Sequence, residues 1–301
     1  MKNIEGILSS IGNTPLVQLR YLASEGGARI LLKLEGTNPG GSVKDRSALW
    51  MVRDAEKRGL LDGGKTILEA TSGNTGIGLA MVGAAMDYKV KLVLPEGVSV
   101  ERRHILSAFG AELVLSPGER GADGAVSLAE QLFGEEPDKF YMPDQYSNSA
   151  NWLSHYESTA PEIIRQTAGG INAFVAGMGT GGTLMGVSRG LKEFSPDIRI
   201  IGVEPEPGHS IQGLKNMKES VMPAIFDENR LDSIISQSDS DAFSMTRELA
   251  LKEGLFAGMS GGAAVSAAVQ VAQDMSPGET LVVLVADRGD RYLSTGVFRK
   301  A

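Results

Sequence analysis

Lys44 draws attention first, because of where it stands. It lies in Asn38-Pro39-Gly40-Gly41-Ser42-Val43-Lys44-Asp45-Arg46, between an apolar run over 30–34 and a helical pattern that ends near Arg58. Ser42 with Asp45 three residues on reads as an N-cap followed by an acid, the S-x-x-D opening of a helix. Lys44 then falls in the first turn, at the positive end of the helix dipole, where an ammonium is disfavoured by a few tenths to about 1 kcal/mol. A neutral amine is favoured instead, and a neutral amine can attack a carbonyl carbon and hold it covalently. A lysine that snorkels into water is the plainer reading of this residue alone.

Three further loops add chemistry, each between a strand-like and a helix-like run, where α/β sheets bind ligands. Thr71-Ser72-Gly73-Asn74-Thr75-Gly76 offers hydroxyls, an amide and backbone N–H groups at a helix start, which suits a carboxylate or another small anion. Gly177-Met178-Gly179-Thr180-Gly181-Gly182-Thr183 lets successive N–H groups close on a phosphate. Gly258-Met259-Ser260-Gly261-Gly262 places a neutral hydroxyl before an alanine-rich helix, as a ligand contact or simply as a helix cap. An amine, an anion loop, a phosphate cradle and a neutral hydroxyl together describe a pyridoxal phosphate site. A rival reading takes Gly177, Gly179 and Gly182 as a dinucleotide fingerprint with Glu204 as the ribose-binding acid of an NAD-dependent dehydrogenase. That reading leaves Lys44 and the Thr71 loop without a role.

These loops need a scaffold, and the order of the runs specifies one. Short β-rich runs (30–34, 66–70, 90–94, 112–115, 173–176, 199–204, 281–285) alternate with helical runs (44–58, 75–86, 99–109, 124–133, 183–194, 241–253, 262–275), which predicts parallel βαβ units in an α/β fold. A further helix is expected over 4–10, and 205–229 is irregular. The polar stretch 144–151 interrupts the alternation and is the expected crossing between domains, 301 residues predicting two domains of about 150 or one large α/β unit.

Composition narrows the function. A net charge of -8 and a pI near 5.1 argue against nucleic acid or an anionic membrane as partner. No run approaches a membrane span of about 18 apolar residues, and no signal peptide opens the chain, so a cytoplasmic location is expected. With no cysteine, thiolate metal sites and a cysteine nucleophile are excluded. His104, His155 and His209 lack metal-ligand spacing, so no metal is expected.

The segments 38–46, 71–76, 179–183 and 287–295, with Ile11-Gly12-Asn13-Thr14-Pro15-Leu16, resemble in order and spacing the cysteine synthases, the O-acetylserine sulfhydrylases of fold type II. Asp287-Arg288-Gly289 is more similar to the B-type branch than to the A-type. The resemblance implies two open doubly wound sheet domains of the tryptophan synthase β-like type: a smaller mobile one over 41–146, and a larger cofactor-anchoring one from 1–40 and 147–301. It implies that Lys44 is the covalent anchor of pyridoxal 5'-phosphate and the catalytic base. Asn74 would bond the ring 3'-oxygen, Gly179, Thr180, Gly181, Gly182 and Thr183 would hold the phosphate, and Ser260 would face the pyridine nitrogen. Thr71, Ser72, Thr75 and Gln145 would bind the substrate carboxylate. A homodimer is implied, acting by β-replacement on O-acetyl-L-serine with sulfide, or thiosulfate to give S-sulfocysteine. Ala286 departs from the pattern, since some B-type relatives place a cysteine there. Other fold-type II reactions (O-phosphoserine sulfhydrylase, serine or threonine dehydratase, cystathionine β-synthase-like) would use the same loops, and a non-catalytic cofactor carrier would not need the lysine.

Overall fold

Apolar runs flanked by glycine and proline become strands, and the small-residue runs between them become helices. A computed structural model describes residues 6–24, 26–71 and 73–299. In chain order the elements are β1 (Leu16–Gln18), β2 (Arg29–Leu34), α1 (Lys44–Lys57), β3 (Thr66–Ala70), α2 (Asn74–Met86), β4 (Val90–Pro95), α3 (Val100–Ala108), β5 (Glu112–Ser116), α4 (Gly121–Glu135) and β6 (Phe140–Tyr141). There follow α5 (Ser149–Ser154), α6 (Ala160–Gln166), β7 (Ala173–Gly177), α7 (Gly182–Phe194), β8 (Arg199–Pro205), β9 (Ser233–Gln237), α8 (Asp239–Glu253), α9 (Met259–Gln273) and β10 (Thr280–Val285).

Two compact units result. One is Asn38–Asn151 with the described part of the segment ending at Ile11; the other is Gly12–Thr37 with the described part of Trp152–Ala301. The first holds a parallel sheet in the order β5-β4-β3-β6. The second holds β1-β2-β10-β7-β8-β9, parallel except for β1, which runs antiparallel on the edge beside β2. β10, all six of whose residues are buried, sits between β2 and β7. Its sequence Thr-Leu-Val-Val-Leu-Val is the near-continuous apolar run of a strand covered on both faces. This is the α/β arrangement of two parallel-rich sheets expected from the sequence.

The structure departs from the expectations at several places. The smaller unit begins at Asn38 and ends at Asn151, and the chain before Gly12 joins it rather than the larger unit, because Leu8 and Ile11 pack on the cluster of Ile67, Ile77 and Leu92. The expected 4–10 helix is only a 3-10 turn over Ile7–Ser10, and its start lies outside the described residues. α1 begins at Lys44 with Val43 at the cap, so Ser42 is not the N-cap residue; its hydroxyl accepts the Lys44 N–H at 3.2 Å from one position further out. Strands β1, β6 and β9 were not expected, being short or half polar. The stretch expected as a bare crossing turns helical at Ser149 and continues through a π-helical turn (His155–Thr159) into α6. Among the described residues no helix is long and apolar enough to cross a membrane.

Candidate active site

The expected site residues divide between the units. In the smaller unit, α1 and α2 lie close because Gly78 has no side chain: a Cβ there would come within 3.0 Å of both the Lys44 carbonyl and the Ala48 Cβ. Gly78 is one turn beyond Asn74, so this contact sets the start of α2 beside the start of α1. The Lys44 turn is braced locally, since Asp45 accepts the Gly40 N–H through Oδ2 at 2.6 Å.

The strand ends supply the rest of this half. β3 runs into the Thr71 loop, where Thr71 Oγ1 accepts the Gly73 N–H at 3.3 Å. Its parallel neighbour β6 runs into the turn carrying Gln145. Parallel pairing brings the two carboxyl ends together, and Thr75 donates its hydroxyl hydrogen to Gln145 Oε1 at 2.6 Å. The expected pair of Thr75 and Gln145 is thus a direct contact, and both are buried. Ser72 lies outside the described residues. Asp144, in the left-handed region at φ 47°, shapes the turn. Its side chain accepts the Tyr146 N–H at 3.2 Å and a hydrogen from the Ser147 hydroxyl.

In the larger unit, β7 leads through 178–181 into α7. Gly181 holds φ 85°, a conformation that favours glycine, and it offers no side chain to cap α7. A Cβ on Gly179 would lie 2.9 Å from the Gly213 carbonyl. The strand-loop-helix thus forms a backbone cradle that only small residues permit, with Thr180 and Thr183 buried at its edge. Segment 213–215 links it to Ser260: the Lys215 N–H donates to the Met178 carbonyl at 2.7 Å, and the α-carbon of Gly213 faces the Ser260 side chain.

Ser260 is 6% exposed and lies in the first turn of α9, whose cap residue is Gly258, so it is not a cap. Asp287-Arg288-Gly289 braces that turn. Gly258 donates to the Asp287 carbonyl at 3.2 Å, Ala257 bridges Arg288, Gly289 donates to the Phe256 carbonyl at 2.9 Å, and Tyr292 donates to the Asp287 carboxylate.

Sequence reasoning missed two buried groups. His155, 1% exposed, contacts Thr159 Oγ1 through Nδ1 at 2.9 Å and Thr183 Oγ1 through Nε2 at 3.4 Å, so it braces the end of the 179–183 loop. Glu69, on β3, accepts the Asp144 N–H at 3.1 Å and faces the Gln145 amide at 3.5 Å. Neither carries a motif; a glutamate inside the apolar run 66–70 was the one available signal.

A backbone cradle at a helix start, a lysine at another and a neutral hydroxyl suit a phosphorylated pyridine aldehyde in turn. Glu204, the acid of the dinucleotide alternative, accepts the Met217 N–H at 3.4 Å. The comparisons agree. The family profile described as pyridoxal-phosphate dependent enzyme matches residues 7–287. Cysteine synthase B of Salmonella typhimurium is 48% identical over 289 residues, covering 96% of this chain and 94% of that one. Cysteine synthase of Aquifex aeolicus is 48% identical over 301 residues, covering 98% and 92%. The crystal structure of cysteine synthase from Entamoeba histolytica superposes with a TM-score of 0.92 at 39% identity, covering 98% and 90%. The chain belongs to the pyridoxal-phosphate dependent enzymes of fold type II, in the cysteine synthase branch, and pyridoxal 5'-phosphate is its cofactor.

Proposed function

We propose that this enzyme acts by β-replacement on O-acetyl-L-serine, making L-cysteine when sulfide is the incoming sulfur and S-sulfocysteine when the bulkier thiosulfate is. The observation that carries the choice of first substrate is the Thr71 loop with its Thr75–Gln145 contact. Hydroxyls, an amide and a helix start make one carboxylate site, and 71–76 contains no basic residue for a second anion. When bound, pyridoxal phosphate withdraws electrons from the substrate α-carbon, acidifying its proton and letting the β-substituent leave.

The chain's own residues do the remainder. Lys44 would anchor the cofactor covalently, and its amine would take the substrate α-proton as general base. The C–O bond to acetate breaks, the C–S bond to the donor forms, and the Lys44 ammonium returns a proton to the α-carbon. Asn74 orients the ring oxygen, while Gly179 through Thr183 hold the phosphate. Thr71, Ser72, Thr75 and Gln145 hold the carboxylate, and assembly as a homodimer belongs to the same reading.

The test compares esters. Turnover with O-acetylserine should exceed that with O-phosphoserine by at least about tenfold, since an unmatched dianion loses charge-assisted bonds of about 1.5–3 kcal/mol. A preference for phosphoserine would replace acetate by phosphate as the leaving group.

Ser260 tunes the ring in this reading. A neutral hydroxyl leaves the pyridine nitrogen unprotonated and the electron sink weak, which favours elimination over racemisation or transamination. Ser260→Asp offers a carboxylate that keeps that nitrogen protonated through a charge-assisted bond. Cysteine formation should fall about tenfold or more while cofactor stays bound and α-proton exchange with solvent deuterium gains, and Ser260→Ala should be milder. Exchange and synthesis both unchanged in the aspartate variant would move the nitrogen's partner to the Ala286-Asp287 turn.

A further inference from the structure

Glu69 is a buried carboxyl group that the mechanism leaves unused and that adjoins the Thr75–Gln145 contact. We propose that it is a positioning residue whose proton sets the direction in which the Gln145–Thr75 chain donates, so that the loop offers its hydroxyl hydrogen to a substrate carboxylate only while Glu69 is protonated. The inference rests on the reading that Thr75 and Gln145 bind that carboxylate.

The geometry is a three-member chain. Thr75 donates to Gln145 Oε1 at 2.6 Å, Gln145 Nε2 faces Glu69 Oε1 at 3.5 Å, and the Asp144 N–H donates to Glu69 Oε2 at 3.1 Å. Every donor points toward Glu69, so the Thr75 hydrogen is spent inside the loop. Rotating the Gln145 amide by half a turn reverses the chain. Gln145 Nε2 then donates to Thr75 Oγ1, and the Thr75 hydrogen is released for a ligand. Gln145 Oε1 now faces Glu69 and needs a donor there, which a carboxylate cannot be and a carboxylic acid can. The reversal takes up one solvent proton on Glu69 and breaks no covalent bond.

The surroundings favour the acid. Glu69 is 4% exposed and shares its face of β3 with Ile67, over the apolar cluster that includes Ile77, Leu92 and Leu106. The 144–146 turn brings Asp144 and Tyr146, β6 brings Tyr141, and β4 places Leu92 opposite. Lys91, next along β4, points to the other face and pairs with Glu112. Burial first, with the Asp144 charge adding to it against the opposing N–H bonds, raises the Glu69 carboxyl from 4.5 to about 8. At neutral pH the group is therefore protonated, and it ionises as the pH rises through about 8.

The probe is propionate, a carboxylate without an amine, measured as a competitor of O-acetylserine on the holoenzyme between pH 6 and 9.5. Its affinity should be flat below pH 7 and fall about tenfold between pH 7 and pH 9, following the protonated fraction of Glu69. In Glu69→Gln the side-chain amide donates permanently to Gln145, so the affinity should vary less than about twofold over the same range. The ratio of variant to wild type removes every other group titrating there. Glutamate labelled with carbon-13 at the side-chain carboxyl should show one resonance, absent from Glu69→Gln, with a midpoint near 8. A midpoint near 4.5, or a Glu69→Gln profile that keeps the wild-type slope, overturns the inference. Failure of the underlying reading looks different: Thr75→Val would then bind propionate as tightly as wild type at every pH.

Discussion

Replacing Lys44 with alanine should lower the rate of cysteine formation from O-acetylserine and sulfide by at least about 10³-fold, because in the proposed mechanism the change removes both the covalent anchor of the cofactor and the general base, a role that alone supplies about 10²–10⁴. Position makes this residue difficult to replace. Lys44 opens α1, where the helix dipole disfavours the ammonium, and its carbonyl is packed against Gly78 of α2, one turn from Asn74. Lys44→Arg keeps length and charge but carries a guanidinium that does not lose its proton, so it should be as inactive as the alanine variant. Borohydride reduction of the wild-type holoenzyme followed by peptide mass analysis should leave the cofactor on the peptide containing Lys44. Turnover by either variant within about tenfold of wild type would assign base and anchor elsewhere, since that loss is far below what a general base contributes.

What could be read from the sequence, and what could not, divides along physical lines. The loops at 71–76 and 177–183 were legible because small polar residues and glycines stand between an apolar run and a helical pattern, where strand gives way to helix. Lys44 was legible because a cation at a helix start breaks a local rule. Glu69 was hidden because its meaning lies in a partner 76 residues away in sequence, and only the parallel pairing of β3 with β6 brings Gln145 to it. His155 was hidden for a related reason: it sits in a π-helical turn that no periodicity announces, and its partner Thr183 lies across a helix contact. Residues Leu8 and Ile11, which pack on the core of the smaller unit, are too few to show in the sequence which core they join. Ser260 was legible as a hydroxyl ahead of an alanine-rich helix, and the observed helix start at Met259 sets aside its alternative as a cap.

That helix contact carries the second large effect. Gly186 looks in the sequence like a weak point in α7, since glycine in a helix interior costs about 1 kcal/mol relative to alanine. In the structure it is where α7 meets the π-helical turn. A Cβ there would lie 2.6 Å from the His155 Cβ and 2.8 Å from the Tyr156 nitrogen, and nearer still to the Trp152 carbonyl oxygen. Two of these three atoms are backbone, so no rotamer change relieves the clash, and the helices must move apart. Overpacking of this kind costs about 3 kcal/mol against a propensity gain of about 1, so Gly186→Ala should destabilise the larger unit by about 2 kcal/mol. Gly134→Ala, in the smaller unit and read by Trp50 fluorescence in a Trp152→Phe background, is the control, because that helical glycine has nothing within 4 Å of its would-be Cβ and the same substitution should stabilise that unit by up to about 1 kcal/mol. Urea titrations followed by Trp152 fluorescence in a Trp50→Phe background read the larger unit alone, since Trp50 belongs to the smaller one. Gly186 is also one turn from Thr183, so the displaced helix should carry the phosphate loop with it and weaken cofactor retention before the unit unfolds. A Gly186→Ala midpoint equal to wild type would mean that α7 and the π-helical turn are not held at this distance, and the contact between His155 and Thr183 would lose its support with it.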